Sequence, residues 1–215
     1  MGENSREALK LEFDSRLRLE FHGARITSDA GLLACRELDG ALRLTEVAPT
    51  YLREIRGGRN VQHEVVPLLR QPVYGRLAGY EDTNDAVILA RDPAMQAVIG
   101  RRALEKQAAS THTLSRFETE VLLTDENLRG LEQLNAEWVG RAMARTKHRR
   151  IVLDIDSSES PVYGEQEGTA YGCMCYYPLF VFNQFGDCEG AMLRPGNVHS
   201  AHNWRAVLQP IVIRL

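Results

Sequence analysis

The sequence predicts a mixed α/β protein in which a helical N-terminal region is followed by a small β-sheet. Apolar residues recur at helical intervals over residues 28–148, and from Ile151 the period changes to that of an extended strand. The continuous apolar run Tyr177–Phe182 is typical of a buried strand. Residues 149–215 therefore indicate a strand, a polar loop, two strands joined by a turn, and a helix, which places the chain in the α+β or α/β class.

The composition is that of a globular protein with no membrane segment. Of the 215 residues, 44% are hydrophobic and 26% are charged, and no apolar run approaches the length of a membrane span. The N-terminus has no apolar core of a signal peptide, so we expect a cytoplasmic protein with no membrane partner. Residues 151–215 hold seven Asp and Glu against three Arg and no Lys, so any support for nucleic-acid binding must come from local basic clusters.

Several helices are predicted in the N-terminal region from N-cap residues, helix-ending glycines and first-turn prolines. The predicted helices cover residues 29–38, 42–55, 61–79, 83–90, 93–99 and a longer segment that begins at Asp125. Pro67 and Pro72 are expected to kink the third helix or to divide it in two. Ser115 and Glu118 have the spacing of a capping box, which predicts a helix start there.

A basic cluster follows the last of these helices. Its members are Arg141, Arg145, Lys147, Arg149 and Arg150. Positive charge is favourable at a helix C-terminus, because it faces the negative end of the helix dipole. The same charges would suit the phosphate backbone of DNA, and the sequence leaves both interpretations open.

Two aspartates stand two residues apart in the run Ile151–Ser158, which opens the C-terminal region. Side chains of a strand alternate between its faces, so Asp154 and Asp156 are predicted on one face, and Leu153 and Ile155 on the other. Burying two carboxylates without a partner is costly. The pair therefore indicates either a solvent-exposed strand end or a site for a hard divalent cation, which prefers oxygen ligands.

The rest of the C-terminal region is predicted as a hairpin and a helix. We expect the strand Tyr177–Phe182 to be covered on both faces, because it lacks polar alternation. Asn183–Asp187 has the composition of a hairpin turn, and the residues from Gly190 to Leu193 are the predicted antiparallel partner. Residues 197–215 are predicted as a helix with Trp204, Val207, Leu208 and Ile211 on one face.

Three of the four cysteines lie in the C-terminal region, where a zinc site has to be considered. Cys173 and Cys175 form a C-x-C pair, Cys188 follows, and His199 and His202 stand three residues apart. Structural zinc sites usually show wider C-x₂₋₄-C spacing, and Cys175 leads directly into an apolar strand. Small buried thiols are therefore the favoured interpretation, with a small zinc-stabilised fold as the alternative.

Five separated segments, in this order along the chain, resemble bacterial insertion-sequence transposases of the DDE type. They are Val73–Gly75 with Gly79–Asp85, Thr113–Glu118, Leu153–Ser158, Tyr176–Phe182 and Leu193–Asn197. The likeness spans roughly residues 20–212. Any one segment alone would be a weak signal, and their shared order makes the resemblance specific.

The resemblance implies two domains. Residues 1–148 would be a mainly helical region for DNA binding and assembly, and residues 149–215 the N-terminal portion of a ribonuclease H-like catalytic domain with a mixed β-sheet. It places the first acidic residue of the catalytic and metal site at Asp156, with Asp154 as the neighbouring candidate. It also implies Mg²⁺ or Mn²⁺ as the cofactor of the complete enzyme, element terminal inverted repeats and target DNA as partners, and a homo-oligomer.

The chain departs from the family pattern towards its C-terminal end. The second and third acidic residues of the family are expected beyond Leu215, and residues 197–215 contain no Asp or Glu. Ser158 also stands where Thr is more usual in the family. We therefore expect an incomplete sheet and a truncated, inactive transposase, with a non-catalytic DNA-binding or regulatory fragment as the alternative.

Overall fold

The computed structural model describes residues 9–19, 27, 29–57, 61–80, 82–145, 148–162 and 175–215. The chain divides into two compact units, Met1–Leu131 and Glu132–Leu215. The functional boundary at 148/149 that the resemblance implies stays a prediction.

The first unit is helical apart from a short pair of strands. The antiparallel strands are β1 (Leu9–Lys10) and β2 (Arg18–Leu19). The helices described are α1 (Leu32–Leu42), α2 (Ala48–Tyr51), α3 (Val65–Leu77), α4 (Ala86–Leu89), α5 (Pro93–Ile99), α6 (Arg101–Glu105), α7 (Thr111–Arg116) and the first turns of α8 (Asp125–Met143). A 3₁₀ turn, Thr83–Asp85, precedes α4, and a π-helical stretch, Phe117–Leu122, follows α7.

Helix α5 lies at the centre of the first unit. Nearly all of its residues are buried, and Met95 and Val98 are fully enclosed. They pack with Leu32 of α1, Tyr74 of α3 and Leu89 of α4 in one apolar cluster. A helix that is apolar on all sides is stable only inside a core, so α5 is the element around which the neighbouring helices pack.

Two helix predictions need correction in the first unit. The helix expected over residues 42–55 is reduced to the four residues of α2, because the Asp39 carboxylate accepts the backbone N–H and the hydroxyl of Thr45 and holds the chain in a turn. The third predicted helix is one continuous helix, α3, so it is not divided at Pro67 or Pro72, whereas the kink that is the alternative stays a prediction at Pro72, inside the helix. Pro67 lies in its first turn, where the missing N–H has no intrahelical partner to lose.

The N-caps show one confirmed prediction and one wrong one. Asp92 begins α5 as expected, and its carboxylate accepts the backbone N–H of Met95 at 2.8 Å. The capping box proposed at Ser115 is wrong, because α7 begins earlier and its cap is Ser110, whose hydroxyl accepts the N–H of Thr113. Both serines are residues that favour N-caps, and the tertiary structure decides which one caps the helix.

The second unit combines the rest of α8 with short strands and a helix. The strands described are β3 (Leu153–Ser157), β4 (Ser160–Pro161), β5 (Cys175–Tyr176), β6 (Leu179–Asn183) and β7 (Cys188–Met192), and they precede α9 (Trp204–Arg214). β6 lies between β3 and β7 in an antiparallel sheet, and β4 pairs with β5. The mixed α/β class is confirmed, and each described strand pair is antiparallel.

Helix α9 covers one face of the three-stranded sheet. Val207 and Ile211 pack against Leu179 and Val181 of β6. Gly190 of β7 lets the helix approach closely, because a Cβ there would stand 3.0 Å from the Cδ1 of Ile211. The helix begins at Trp204 and not at residue 197 as the sequence predicts, so the preceding residues form a loop instead.

The start of α8 crosses the end of α2 at very close range. The fully buried Asn127 side chain accepts the Arg53 backbone N–H at 2.7 Å and donates to the Arg53 carbonyl at 3.0 Å. One turn further on, a Cβ at Gly130 would lie 2.1 Å from the Tyr51 carbonyl oxygen. Only glycine therefore fits at this crossing.

Substituting Gly130→Ala should destabilise the protein. The added methyl group must push α8 away from Tyr51, and we expect the free energy of unfolding to fall by about 1–3 kcal/mol, a typical cost of overpacking. Urea unfolding followed by circular dichroism measures the change. Gly140→Ala on the same helix is the matched control, because a Cβ there has nothing within 4 Å, and it should be neutral or stabilising by up to about 1 kcal/mol. Equal effects at both positions would contradict the prediction.

Candidate functional site

Strand β3 presents both predicted aspartates on one exposed surface. Asp154 pairs across the sheet with Phe182, and Asp156 pairs with Phe180. Both carboxylates are exposed, and the alternation of the strand places Leu153 on the opposite face, against the α9 cluster. The prediction that the two aspartates share a face of β3 is confirmed.

The carboxylate surface continues into an aromatic pair on β6. The rings of Phe180 and Phe182 lie with their centroids 6.0 Å apart, and both side chains are half-buried. Leu179 and Val181, on the α9 side, are fully buried. The prediction that this strand is covered on both faces is wrong for the described residues, because α9 covers only one of them.

The geometry of the two carboxylates suits partial coordination of a cation. Their Cα atoms lie about 7 Å apart, the repeat of a strand over two residues. The Ser157 N–H donates to Oδ1 of Asp156 at 2.8 Å and so fixes the direction of that carboxylate. Oxygen donors of this kind are the preferred ligands of Mg²⁺ and Mn²⁺. The pair fits such an ion as part of its coordination sphere.

The described residues supply no further ligands at the same place. Within the described ranges, no three His, Cys, Asp or Glu side chains come together as a possible metal site. Hard cations take six or more oxygen ligands, and substrate and water normally supply several of them. Asp154 and Asp156 therefore form one side of a site that needs other oxygen donors.

The beginning of β3 is held by the side chain of Gln184. Its Oε1 accepts the Val152 N–H at 2.9 Å, and its Nε2 donates to the Arg150 carbonyl at 3.1 Å. The neighbouring Asn183 accepts two backbone N–H groups of the hairpin turn, from Phe185 and Asp187. The turn that the sequence predicts at Asn183–Asp187 is confirmed, and it also fixes the strand that carries the aspartates.

Buried Arg194 organises the loop that precedes α9. Its Nε donates to the Tyr177 carbonyl at 2.8 Å, and its Nη1 donates to the carbonyls of Ser200 and His202 at 2.9 and 2.7 Å. The side chain is 2% exposed. No role is predicted for Arg194 from the sequence, where its one distinguishing mark is its position between an apolar strand and a Pro-Gly turn.

The basic cluster is largely exposed. Arg145, Arg149 and Arg150 are exposed, and Lys147 lies outside the described residues. Arg141 is half-buried and its Nε donates to Glu137, one turn earlier on α8, at 2.7 Å. Arg141 is thus engaged within its own helix, which leaves the other three described arginines as the candidates for contact with DNA.

The candidate zinc ligands do not converge in the described part of the chain. Cys175 is buried, and Cys188 is half-buried with its thiol directed at the Gly190 carbonyl. Burial raises the pKa of the Cys188 thiol, which disfavours the thiolate that zinc requires. His199 and His202 are exposed in the loop before α9, and Cys173 lies outside the described residues. The described residues give the zinc alternative no support.

The fold and the site together define an α/β protein whose acidic strand is suited to a hard cation. The chain belongs to the family described as transposase DDE domain group 1, whose family model matches residues 9–215. It is thus a DDE-type transposase, a class of protein that acts on DNA and generally uses divalent metal ions. Comparisons with curated proteins and with solved structures gave no match. None of the described helices combines the length and the apolar character needed to cross a membrane.

Replacing Arg194 by lysine should destabilise the second unit. A lysine ammonium lacks the planar, forked guanidinium group, which donates at once to the Tyr177 carbonyl between β5 and β6 and to the Ser200 and His202 carbonyls of the loop. We expect Arg194→Lys to lower the free energy of unfolding by about 2–3 kcal/mol, since hydrogen bonds to a buried charge are lost. Arg205→Lys, at an exposed position on α9, is the control and should change stability little. Urea unfolding of both variants tests this, and an unchanged Arg194→Lys midpoint would contradict it.

Proposed function

We propose that this chain serves the transposition of a bacterial insertion sequence through metal-dependent DNA cleavage and strand transfer at the element ends. The observation that carries the proposal is the exposure of Asp154 and Asp156 on one face of β3, in a chain whose family is that of DDE transposases. Asp156 is the first acidic residue of the proposed catalytic site, and Asp154 is its neighbour. The proposed catalytic domain is ribonuclease H-like, with β3 as its first strand.

The two aspartates have different roles in this proposal. Asp156 is oriented by the Ser157 N–H and holds a divalent ion, Mg²⁺ or Mn²⁺, while Asp154 adds negative charge two residues away on the same face. One such ion would activate an attacking water or 3′-hydroxyl, and a second would stabilise the leaving oxygen of a phosphodiester. Because α9 and the hairpin fix β3, the carboxylates are held on a rigid element, which metal sites require.

Cation binding should depend on Asp156. Asp156→Asn removes one charged ligand, and we expect it to weaken Mn²⁺ binding by about tenfold or more, because affinity for hard cations follows the number of charged oxygen ligands. Asp154→Asn should weaken binding less. Water-proton relaxation during a Mn²⁺ titration measures the affinity of the folded proteins.

Glu132→Gln, at an exposed position on α8, is the control for a general loss of negative charge. Unchanged Mn²⁺ affinity in Asp156→Asn, or an equal loss in the control, would contradict the assignment of Asp156. In the described part of the chain the site has two carboxylates, so we expect the proposed cleavage to need further oxygen donors and nicking of an element-end duplex by this chain alone to be weak. Robust nicking that Asp156→Asn abolishes would support Asp156 as catalytic and contradict the incomplete site.

The exposed arginines support a second proposed role, which is DNA binding without catalysis. Arg145, Arg149 and Arg150 lie close together in sequence and are exposed, so they are placed to neutralise backbone phosphates. As a regulatory protein, the chain would occupy the terminal repeats of the element and exclude other copies. The proposed homo-oligomer would strengthen such occupancy, because two binding modules act at high effective concentration.

Removing these three arginines should weaken DNA binding and reduce its salt dependence. We expect the triple variant Arg145→Gln, Arg149→Gln, Arg150→Gln to lower the slope of log affinity against log salt by about 2–3, because each phosphate that the protein neutralises adds about 0.9 to that slope. Fluorescence anisotropy with a labelled duplex at several salt concentrations measures the slope. Arg129→Gln, an exposed arginine of α8, should lower it by less than one. A triple variant with the wild-type slope would exclude these residues from the DNA contact.

A further inference from the structure

The first unit contains a buried cluster with more positive than negative charge. Arg36 and Arg70 both lie 3.5 Å from one oxygen of Asp39, and the three side chains are between 6% and 11% exposed. Two guanidinium groups thus share one carboxylate in a region shielded from water. A buried charge without a full counter-charge is costly.

The carboxylate of Asp39 is already occupied by hydroxyl and N–H donors. Thr45 donates its backbone N–H to Oδ1 at 2.7 Å and its hydroxyl to Oδ2 at 2.6 Å, and the Tyr74 hydroxyl donates to Oδ2 at 2.9 Å. Neither arginine makes a hydrogen bond of ordinary length to it. Asp39 is therefore held mainly by hydrogen bonds from Thr45 and Tyr74, and its single charge faces the two charges of Arg36 and Arg70.

Arg36 is the arginine of the cluster with buried N–H groups that find no hydrogen-bond acceptor among the described residues. These groups are at its Nε and Nη1 atoms, while the guanidinium lies 4.8 Å from the Phe13 ring centre. Arg70, by contrast, donates to the Thr45 hydroxyl at 2.8 Å. Burial and then the charge of Arg36 lower the pKa of Arg70, and the charge of Asp39 opposes this shift.

A cavity of about 780 Å³ opens beside these arginines. Arg36, Arg70 and Gly40 line it, and Arg101, Arg102 and His63 contribute further basic groups. Burial, followed by the charges of Arg102 and Arg56, lowers the pKa of His63, which favours its neutral form, so the arginines supply the positive charge of this wall.

Acidic residues also line the cavity. Asp39 lies between the two arginines at its buried end, and Glu12, Glu46 and Glu64 are exposed. Glu46 accepts a hydrogen bond from Arg43 at 3.0 Å, and surface pairs of this kind are screened by water. The buried end of the cavity thus holds two guanidinium groups against one carboxylate. A cation there would meet an excess of positive charge, whereas an anion would complete the counter-charge.

We propose that this cavity binds an oxyanion, a phosphate group held by Arg36 and Arg70. Guanidinium groups recognise phosphate oxygens through paired, charge-assisted hydrogen bonds. The volume exceeds what one phosphate needs and is within the range of pockets that take larger ligands. The phosphate is therefore either free or carried by a nucleic acid. This site lies in the first unit, apart from the aspartates of β3, and is independent of the proposed catalytic role.

Thermal unfolding of the 215-residue chain in phosphate or sulfate tests the proposal. At ionic strength matched with sodium chloride, we expect a saturable rise in Tm of about 3 °C at tenfold excess over Kd, because a ligand of the folded state stabilises it. A Tm in phosphate or sulfate that is no higher than the Tm in sodium chloride of the same ionic strength would overturn the proposal.

Two substitutions at Gly40 test whether the phosphate binds beside Arg36, and neither of them removes a buried side chain. Gly40 is an exposed position of α1, and a Cβ there would stand 3.5 Å from Nη1 of Arg36, an ordinary contact. Gly40→Glu brings an internal carboxylate to the arginines and should abolish the phosphate-dependent rise in Tm. Gly40→Gln is the matched neutral control and should keep it. A rise that survives in Gly40→Glu, or is lost equally in both variants, would overturn the assignment.

A second measurement distinguishes a free phosphate from a phosphate that is part of a nucleic acid. Binding of a labelled random-sequence duplex is compared between Gly40→Glu and Gly40→Gln at fixed salt. A weaker affinity in Gly40→Glu identifies the backbone of nucleic acid as the ligand, whereas equal duplex affinity together with lost phosphate binding identifies a free oxyanion. Either result supports the cavity as an oxyanion site.

Discussion

The pairing of β3 with β6 is the constraint on which the proposed site depends. Every second residue of β3 must turn towards α9, and the residues between them must turn away. The register therefore fixes Asp154 and Asp156 on the surface together. A shift of one residue would turn both carboxylates to the α9 side and expose Leu153, and the cost of desolvating charge disfavours that register.

Helix α9 is in turn positioned by a buried charge as well as by apolar packing. The Glu189 side chain on β7 is fully buried, and it accepts hydrogen bonds from Arg214 of α9 and from Asn183 of β6. A helix shifted by one turn would leave this carboxylate without its cation. Apolar contacts alone tolerate sliding, so the ion pair gives α9 a single position on the sheet.

Local patterns predicted the elements, and tertiary contacts set their limits. The strand of the aspartates, the hairpin turn and the long helix α8 could be read from the sequence, because each has a strong period or turn composition. The shortened α2, the true cap of α7 and the late start of α9 depend on Asp39, Ser110 and Arg194. Their partners are decided by the fold, and Asp39 and Arg194 also bind Tyr74 and Tyr177, which are 35 and 17 residues away, so residue type alone could not identify them.

Arg194 secures its loop through backbone carbonyls and not through side chains. Every residue type offers the same carbonyl, so the path into α9 does not depend on which side chains occupy positions 200 and 202. The exposed surface of this loop is thus free to change while its course is kept. Substitutions on the exposed surface of this loop can therefore accumulate without loss of folding.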